Sequence, residues 1–405
     1  DTICKYFFED GTIITANKDV DLFAKEIQNK TLDSADDVIK HLKQSEFIYN
    51  TTAKLFLTKS LHKVSSYLSF STFWSFLKFP FINPLKTMNG SNMARFKDSK
   101  TQRLFNRYAT YNGSNPYKAP AVLNIIPHLE YSLGAYFPKG GMISITKALH
   151  QLALDVGVEF KLNCDVTKIN VEANKVKSVN FNKQSLNVDK VVSNVDVKTV
   201  YDKLLPSKKP LLKVLKQERS SSALIFYWGI STEFKNLDVH NIFFSEDYKS
   251  EFEEIFETKT ICDDPTVYVN IASKYSKSDA PEGSESWFVM INVPADFSQD
   301  WDDLIKKAKL RIINKLNRIL KVNLEDLIVE EDVLTPKLIQ SKTSSYRGSL
   351  YGTASNNRFA AFFRHSNFSK TYKDLYFCGG SVHPGGGIPL ALSSAKIIDK
   401  YIKHV

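Results

Sequence analysis

Residues 374–402 read DLYFCGGSVHPGGGIPLALSSAKIIDKYI, and this stretch decides the fold. Asp374 to Cys378 form a short apolar run that predicts a buried strand, Gly379 to Pro389 predict a glycine-rich turn, and Leu390 to Ile402 predict a helix. Strand, glycine turn and helix in that order make the crevice where α/β proteins bind cofactors. Gly379, Gly380 and the run Gly385-Gly386-Gly387 lack side chains, so the backbone can approach a planar or anionic ligand closely and offer its N–H groups. The helix that follows adds a partial positive charge suited to a pyrophosphate or a reduced ring system. Taken alone, such a turn also serves tight packing.

Working outward, residues 157–192 hold β-rich runs at Val158 to Leu162, Val166 to Val171, Val176 to Phe181 and Leu186 to Val192, a small meander feeding a buried strand at Val191-Val192-Ser193. Leu224 to Ile230 and Trp287 to Val293 predict further strands, and Trp301 to Leu320 predicts a long amphipathic helix. At the other end, Cys4 to Ala16 predict a hairpin turning at Glu9-Asp10-Gly11. Helices are predicted over Val20 to Asn29 and Ser34 to Lys59, the second opened by an acidic capping run at residues 33–37. In the aromatic stretch Tyr67 to Phe81, Phe70, Phe73, Trp74 and Leu77 share one helical face before Pro80 interrupts it. That face predicts a core-facing helix first, and second an interfacial helix with Lys78 and Lys86 at lipid headgroups. Strands and helices mix without a repeat, so the fold class is α/β or α+β with a second domain.

The chain has 405 residues, 43% hydrophobic and 24% charged, which suits two globular domains or one large domain with a cap. Its 28 Phe and 18 Tyr line either a generous core or an apolar cavity. The net charge of +10 is spread over scattered lysines without a nucleic-acid-binding signature, so the expected partners are solvent or anionic lipid and not nucleic acid. Four separated cysteines and eight histidines without HxH or HxxxH spacing argue against a metal. No GxSxG elbow points to a hydrolase.

The string LYFCGGSVHPGGGIP, residues 375–389, resembles the C-terminal signature of phytoene desaturases and related carotenoid desaturases, with Asp374 where the family has Asn and Val382 where it usually has Thr or Ala. The resemblance continues in order through NPYKAP at 115–120, FPKGGM at 137–142, VVSN at 191–194, HNIFFS at 240–245 and DPTVYVN at 264–270. It implies an FAD-dependent oxidoreductase fold related to the amine oxidases, Rossmann-like, with a mixed-sheet substrate domain and a helical membrane-facing cap. On that basis 1–16 and 120–230 are parts of cofactor and substrate domains, 17–119 the cap, 231–345 the substrate domain and 346–405 the C-terminal FAD-binding segment. The residues implied at FAD are Val166, Gly379, Gly380, Ser381, His383, Gly387, Ile388 and Pro389, with Val166 beside the adenine. A long apolar carotenoid is the implied substrate, a quinone or oxygen the electron acceptor, and the cytoplasmic face of a membrane the implied location, held peripherally.

Flavin takes a hydride from an allylic carbon while a base or solvent takes the proton, so the cofactor carries the hard step and no catalytic side chain is assigned. Arg347, Arg358, Arg364 and His383 are ionisable groups of the same C-terminal region, each with a plain structural role as the competing reading. The family's Gly-x-Gly-x-x-Gly turn is missing before residue 140, and the chain opens on Asp1 inside a hairpin. Both features predict a chain lacking the first βαβ segment, which alone holds FAD poorly, is inactive and exposes apolar surface. Two rival functions follow from the same residues: a redox-neutral carotenoid isomerase, and a non-catalytic carotenoid- or lipid-binding protein.

Overall fold

The structure is a computed structural model that describes all residues except 69, 207–212, 358, 360–362 and 403–405. Strands β1 (Thr2–Phe7) and β2 (Ile13–Asn17) form the expected hairpin. Gly11 closes it at φ 82°, a left-handed conformation that favours glycine. Helix α1 (Val20–Lys30) is capped by the Asp19 carboxylate, and α2 (Ala35–Phe56) by a reciprocal capping box between Ser34 and Asp37. Such caps stabilise a helix start by about 1 kcal/mol. Short helices α3 (Phe70–Lys78), α4 (Met88–Met93) and α5 (Ser99–Asn106) complete this helical region.

Helix α6 (Ile143–Asp155) follows, then the meander β3 (Val166–Glu172), β4 (Lys175–Phe181) and β5 (Gln184–Asn187). Strand β6 (Val191–Ser193) comes next. The largest sheet collects β7 (Ser222–Ile230), β8 (His240–Phe243), β9 (Val267–Asn270), β10 (Glu285–Val293) and, after helix α7 (Trp301–Leu320), β11 (Ile328–Leu334). Its order is β11-β7-β10-β9-β8-β1-β2, antiparallel except where β1 lies parallel to β8, so the opening hairpin sits at one edge of this sheet. Strand β12 (Leu375–Phe377) pairs in parallel with β6, and helix α8 (Ile388–Ile402) returns beyond the glycine turn.

Period-two alternation makes the large sheet two-faced. Trp287, Val289, Ile291 and Val293 of β10 are buried with Phe226 and Trp228 of β7 against Ala308, Ile312 and Leu316 of α7. The intervening Phe288 and Met290 are only half-buried, on the opposite face. A second core packs Tyr6 and Phe8 against Phe23 and Ile27 of α1, Val38 of α2 and Phe105 of α5. The mixed α/β class holds.

Three local expectations need correction. Val158 to Leu162 is exposed and joins no sheet, because an apolar run without a neighbouring strand has no partner for its backbone groups. Val192 is half-exposed, since β6 pairs only with β12 among the described residues. The α3 face is not core-facing at Trp74 and Leu77, which are 50% and 51% exposed. The side chains of Phe70 and Phe73 lie outside the described residues.

Candidate cofactor and substrate site

The strand, turn and helix of residues 375–402 bring seven of the eight expected cofactor residues into one loop. Gly379 adopts φ 94°, its N–H donates to Ser394 Oγ at 2.8 Å, and a Cβ there would stand 3.3 Å from the carbonyl of Asn194, the residue that follows β6. A Cβ on Gly386 would lie 2.3 Å from the Tyr351 ring, so the turn is glycine because an aromatic side chain occupies its inner side. Gly387, again at φ 94°, has nothing within 4 Å where a Cβ would stand. Gly387, Ile388 and Pro389 are exposed together at the start of α8, where the first N–H groups have no preceding carbonyl in the helix.

Ser381 and His383 face inward instead. Ser381 Oγ accepts from the Val197 N–H at 3.0 Å. His383 is 1% exposed, and its Nε2 lies 2.9 Å from the Lys59 carbonyl, which makes Nε2 the protonated nitrogen. Burial drives its pKa down to about 4, so the ring is neutral at ordinary pH. Val166 is elsewhere, half-exposed at the start of β3, whereas the meander meets the strand before the turn through Lys175 and Lys373 at the other end of β3.

Arg364 braces the loop from beneath. Its guanidinium donates to the carbonyls of Tyr351 at 2.9 Å, Gly380 at 3.0 Å and Thr353 at 2.9 Å. Burial and then the nearby Arg219 lower its pKa to about 10, which leaves it charged at neutral pH. Arg219 pairs with Asp196, both buried, and donates to Ser349 Oγ at 2.9 Å, which ties the segment after β6 to the chain just before Tyr351. Arg347 is placed differently, over the Phe297 ring at 4.1 Å, and Arg358 lies outside the described residues.

Tyr351 also connects the turn to the large sheet. A Cβ on Gly113 would lie 2.8 Å from the Tyr351 ring, and two residues earlier Tyr111 reaches the edge of a buried polar cluster. There Arg107 pairs with Glu130 at 3.0 Å and donates to the hydroxyls of Tyr6 at 2.5 Å and Tyr111 at 2.9 Å. Tyr108 donates to Glu130 at 3.1 Å. Burial, opposed by Arg107, holds the Tyr6, Tyr108 and Tyr111 phenols above their ordinary range, so they remain donors.

From this cluster an aromatic row crosses the half-buried face of the sheet. The rings of Tyr227 and Phe288 lie 5.7 Å apart edge to face, those of Phe288 and Tyr268 6.2 Å, and those of Tyr268 and His240 6.0 Å. Pairs of this kind add about 0.5–1.5 kcal/mol beyond burial, and here they also line that face with a continuous aromatic floor. The sequence reading missed both this floor and the Arg107–Glu130 cluster. The alternation within β10 was the available signal for the floor; the ion pair joins residues from separate segments and leaves no local pattern.

The flavin that the resemblance implies fits what is present. The backbone of Gly387 faces open space at a helix start, and the turn around it is fixed by Arg364, Ser381 and Tyr351. The backbone of Gly379, Gly380 and 387–389 would hold FAD if it binds here as the resemblance implies.

Comparison with known proteins identifies the family. The family model for flavin containing amine oxidoreductase matches residues 26–397. The chain is 52% identical over 396 residues to a 1-hydroxycarotenoid 3,4-desaturase from Flavobacterium sp. (strain P99-3), covering 98% of this chain and 81% of that protein. It is 29% identical to a phytoene desaturase from Phycomyces blakesleeanus, covering 97% of this chain and 69% of the other. Among solved structures, a putrescine oxidase double mutant superposes with a TM-score of 0.56 at 11% identity, covering 98% of this chain and 81% of that one, a likeness of fold. The chain belongs to the flavin containing amine oxidoreductases, FAD-dependent enzymes, and among them to the carotenoid desaturase family.

Proposed function

We propose that this protein introduces conjugated double bonds into a long acyclic C40 carotene, a hydroxylated carotene or phytoene, with the polyene laid across the aromatic face of the large sheet. Two observations support this reading: the Tyr351 ring lies between Gly386 of the turn and Gly113, and Tyr227, Phe288 and Tyr268 form an aromatic row on the half-buried face of the sheet. On this reading an extended apolar ligand lies along that row with one end at the flavin of the glycine turn. Bound FAD supplies a two-electron acceptor for C–H cleavage. The chain's own part is to orient and to exclude water. The tyrosine floor aligns the polyene, and the Arg107–Glu130 pair holds Tyr111 in place beside it.

The 52% identity to a hydroxycarotenoid desaturase supports the hydroxylated substrate over phytoene. Access from a bilayer suits so apolar a molecule, and the exposed Trp74 and Leu77 with Lys78 beside them support a peripheral seat on a membrane, on its cytoplasmic face. No helix among the described residues is long and apolar enough to cross a membrane. Electrons then pass to a quinone or oxygen.

Cells that make either phytoene or a 1-hydroxylated acyclic carotene test the proposal when they also express the protein. The expected product absorbs at longer wavelength, with the larger conversion from the hydroxylated carotene. A product with altered geometry but the same number of conjugated bonds makes the protein an isomerase and sinks the proposal, and recovery of both carotenes unchanged sinks it as well.

A further inference from the structure

The helical region contains a cavity of about 300 Å³ that the desaturation reading does not use. His41 and Gln44 of α2, Lys86, Arg95 and Asn124 are in its wall, with Ile48 at its apolar side. Two atoms in that wall have no partner in the protein, Nε2 of His41 and Oδ1 of Asn124, on residues 4% and 3% exposed. Leaving a buried polar atom unmatched costs about 1–3 kcal/mol, so two in one cavity point to something that fills them.

Neither group is free to turn away. The Asn124 Nδ2 donates to Asn92 Oδ1 at 2.9 Å, Asn92 Nδ2 to Asn106 Oδ1 at 2.8 Å, and Asn106 Nδ2 to Asn89 Oδ1 at 2.8 Å. This relay of amides presents the Asn124 oxygen, an acceptor, to the cavity. The His41 ring is held against Phe96 and Phe105, with centroids 5.1 and 4.3 Å away. Burial, followed by the charge of Arg95, drives the His41 pKa down to about 3, so the ring is neutral and Nε2 can donate. A hydroxyl in the cavity offers what the two groups lack, an acceptor for the N–H at His41 Nε2 and a donor to Asn124 Oδ1.

The surroundings identify what carries the hydroxyl. Lys86 and Arg95 set positive charge at the same cavity, which suits a phosphodiester. Gln44 Nε2 donates to the Phe81 carbonyl at 3.0 Å, joining the cavity wall to a surface where Phe81 is 69% and Leu85 71% exposed. We propose that the cavity seats the headgroup of an anionic, hydroxyl-bearing phospholipid, its hydroxyl between His41 and Asn124, its phosphodiester at Lys86 and Arg95, and its acyl chains over Phe81 and Leu85. The seat rests on the reading of this surface as membrane-facing.

Co-sedimentation with vesicles separates the two claims. Phosphatidylcholine vesicles are prepared alone, or with equal mole fractions of phosphatidylserine or phosphatidylglycerol, which match in charge and differ in the headgroup hydroxyls. The protein is expected to reach half-saturation at about fivefold lower lipid with phosphatidylglycerol than with phosphatidylserine, the worth of one or two hydrogen bonds. Ile48→Phe, which fills the cavity, removes that preference without weakening phosphatidylserine binding, and Ala94→Phe at the cavity's exposed edge does the same if the first variant fails to fold. Lys86→Ser weakens binding to both anionic vesicles by about fivefold. Equal binding to the two anionic lipids, or a preference that survives both fillings, overturns the headgroup seat and leaves membrane contact standing. Binding to no vesicle overturns the membrane reading and the seat with it. Saturable binding of soluble glycerol 1-phosphate without any vesicle preference assigns the cavity to a free polyol phosphate and overturns the lipid.

Discussion

On the proposed reading the glycine turn at residues 379–389 and the tyrosine cluster around Arg107 serve one site, and they are built by opposite means. In the turn, the site exists because side chains are absent: Gly386 yields its space to Tyr351, and Gly387 leaves open space in front of a helix start. In the cluster, it exists because polar side chains are withdrawn from water and matched to one another: Arg107, Glu130 and the hydroxyls of Tyr6 and Tyr108, with the half-exposed Tyr111 at the edge. The first depends on backbone shape and the second on charge balance, so they respond to substitution differently.

The largest expected effect is in the cluster. Glu130→Ala leaves the Arg107 charge buried without its counter-charge, and unfolding in urea is expected to show a loss of about 3–5 kcal/mol. A loss under 1 kcal/mol would mean that water reaches Arg107. Gly386→Ala comes next: its methyl group would collide with the Tyr351 ring, and the same measurement should show a loss of about 3 kcal/mol. Tyr351→Ala in the same chain should restore part of it, and no restoration would place the clash elsewhere.

Acidification separates the regions a third way. The His383 pKa is about 4 in the folded chain against 6.5 for the unconstrained ring, so on acidification the unfolded chain binds protons first. Its contribution is complete above pH 6.5 and is lost between 6.5 and 4. By pH 5 the wild type should have lost about 2 kcal/mol more than His383→Gln, which keeps a donor for the Lys59 carbonyl. Parallel stability curves for the two proteins would show that the ring is open to water. The smallest stability change is that of Gly387→Ala, about 1 kcal/mol for a side chain at positive φ. Flavin absorbance per protein should nevertheless fall far more than this loss of stability explains; unchanged flavin content would remove Gly387 from the cofactor surface.

The same contrast explains what was legible in the sequence. The turn is local: strand, glycines and helix follow one another within thirty or so residues, and Leu375 to Ile402 folds as the pattern predicts. The capping run before α2 and the full length of α7 were readable for the same reason. Pairings across the chain were not. Arg107 meets Tyr6, and Arg219 meets Asp196, through topology that no residue spacing encodes. The α3 helix shows the limit of periodicity, which finds an apolar face but not what covers it, and Trp74 and Leu77 prove half-exposed. His383 was singled out by its place in the turn, but its ring points inward to Lys59, a direction set by packing.

The central claim is that the aromatic sheet face beside the glycine turn holds the polyene. Phe288 lies mid-row between Tyr227 and Tyr268, half-buried and outside the buried core, so Phe288→Arg puts a charge on that floor without touching the turn. The direct measurement is the carotenoid absorption spectrum of cells supplied with a 1-hydroxylated acyclic carotene, expressing either the wild type or this variant at equal folded level. The wild type is predicted to shift the band to longer wavelength and the variant to leave it where it was; an equal shift from both would contradict the account.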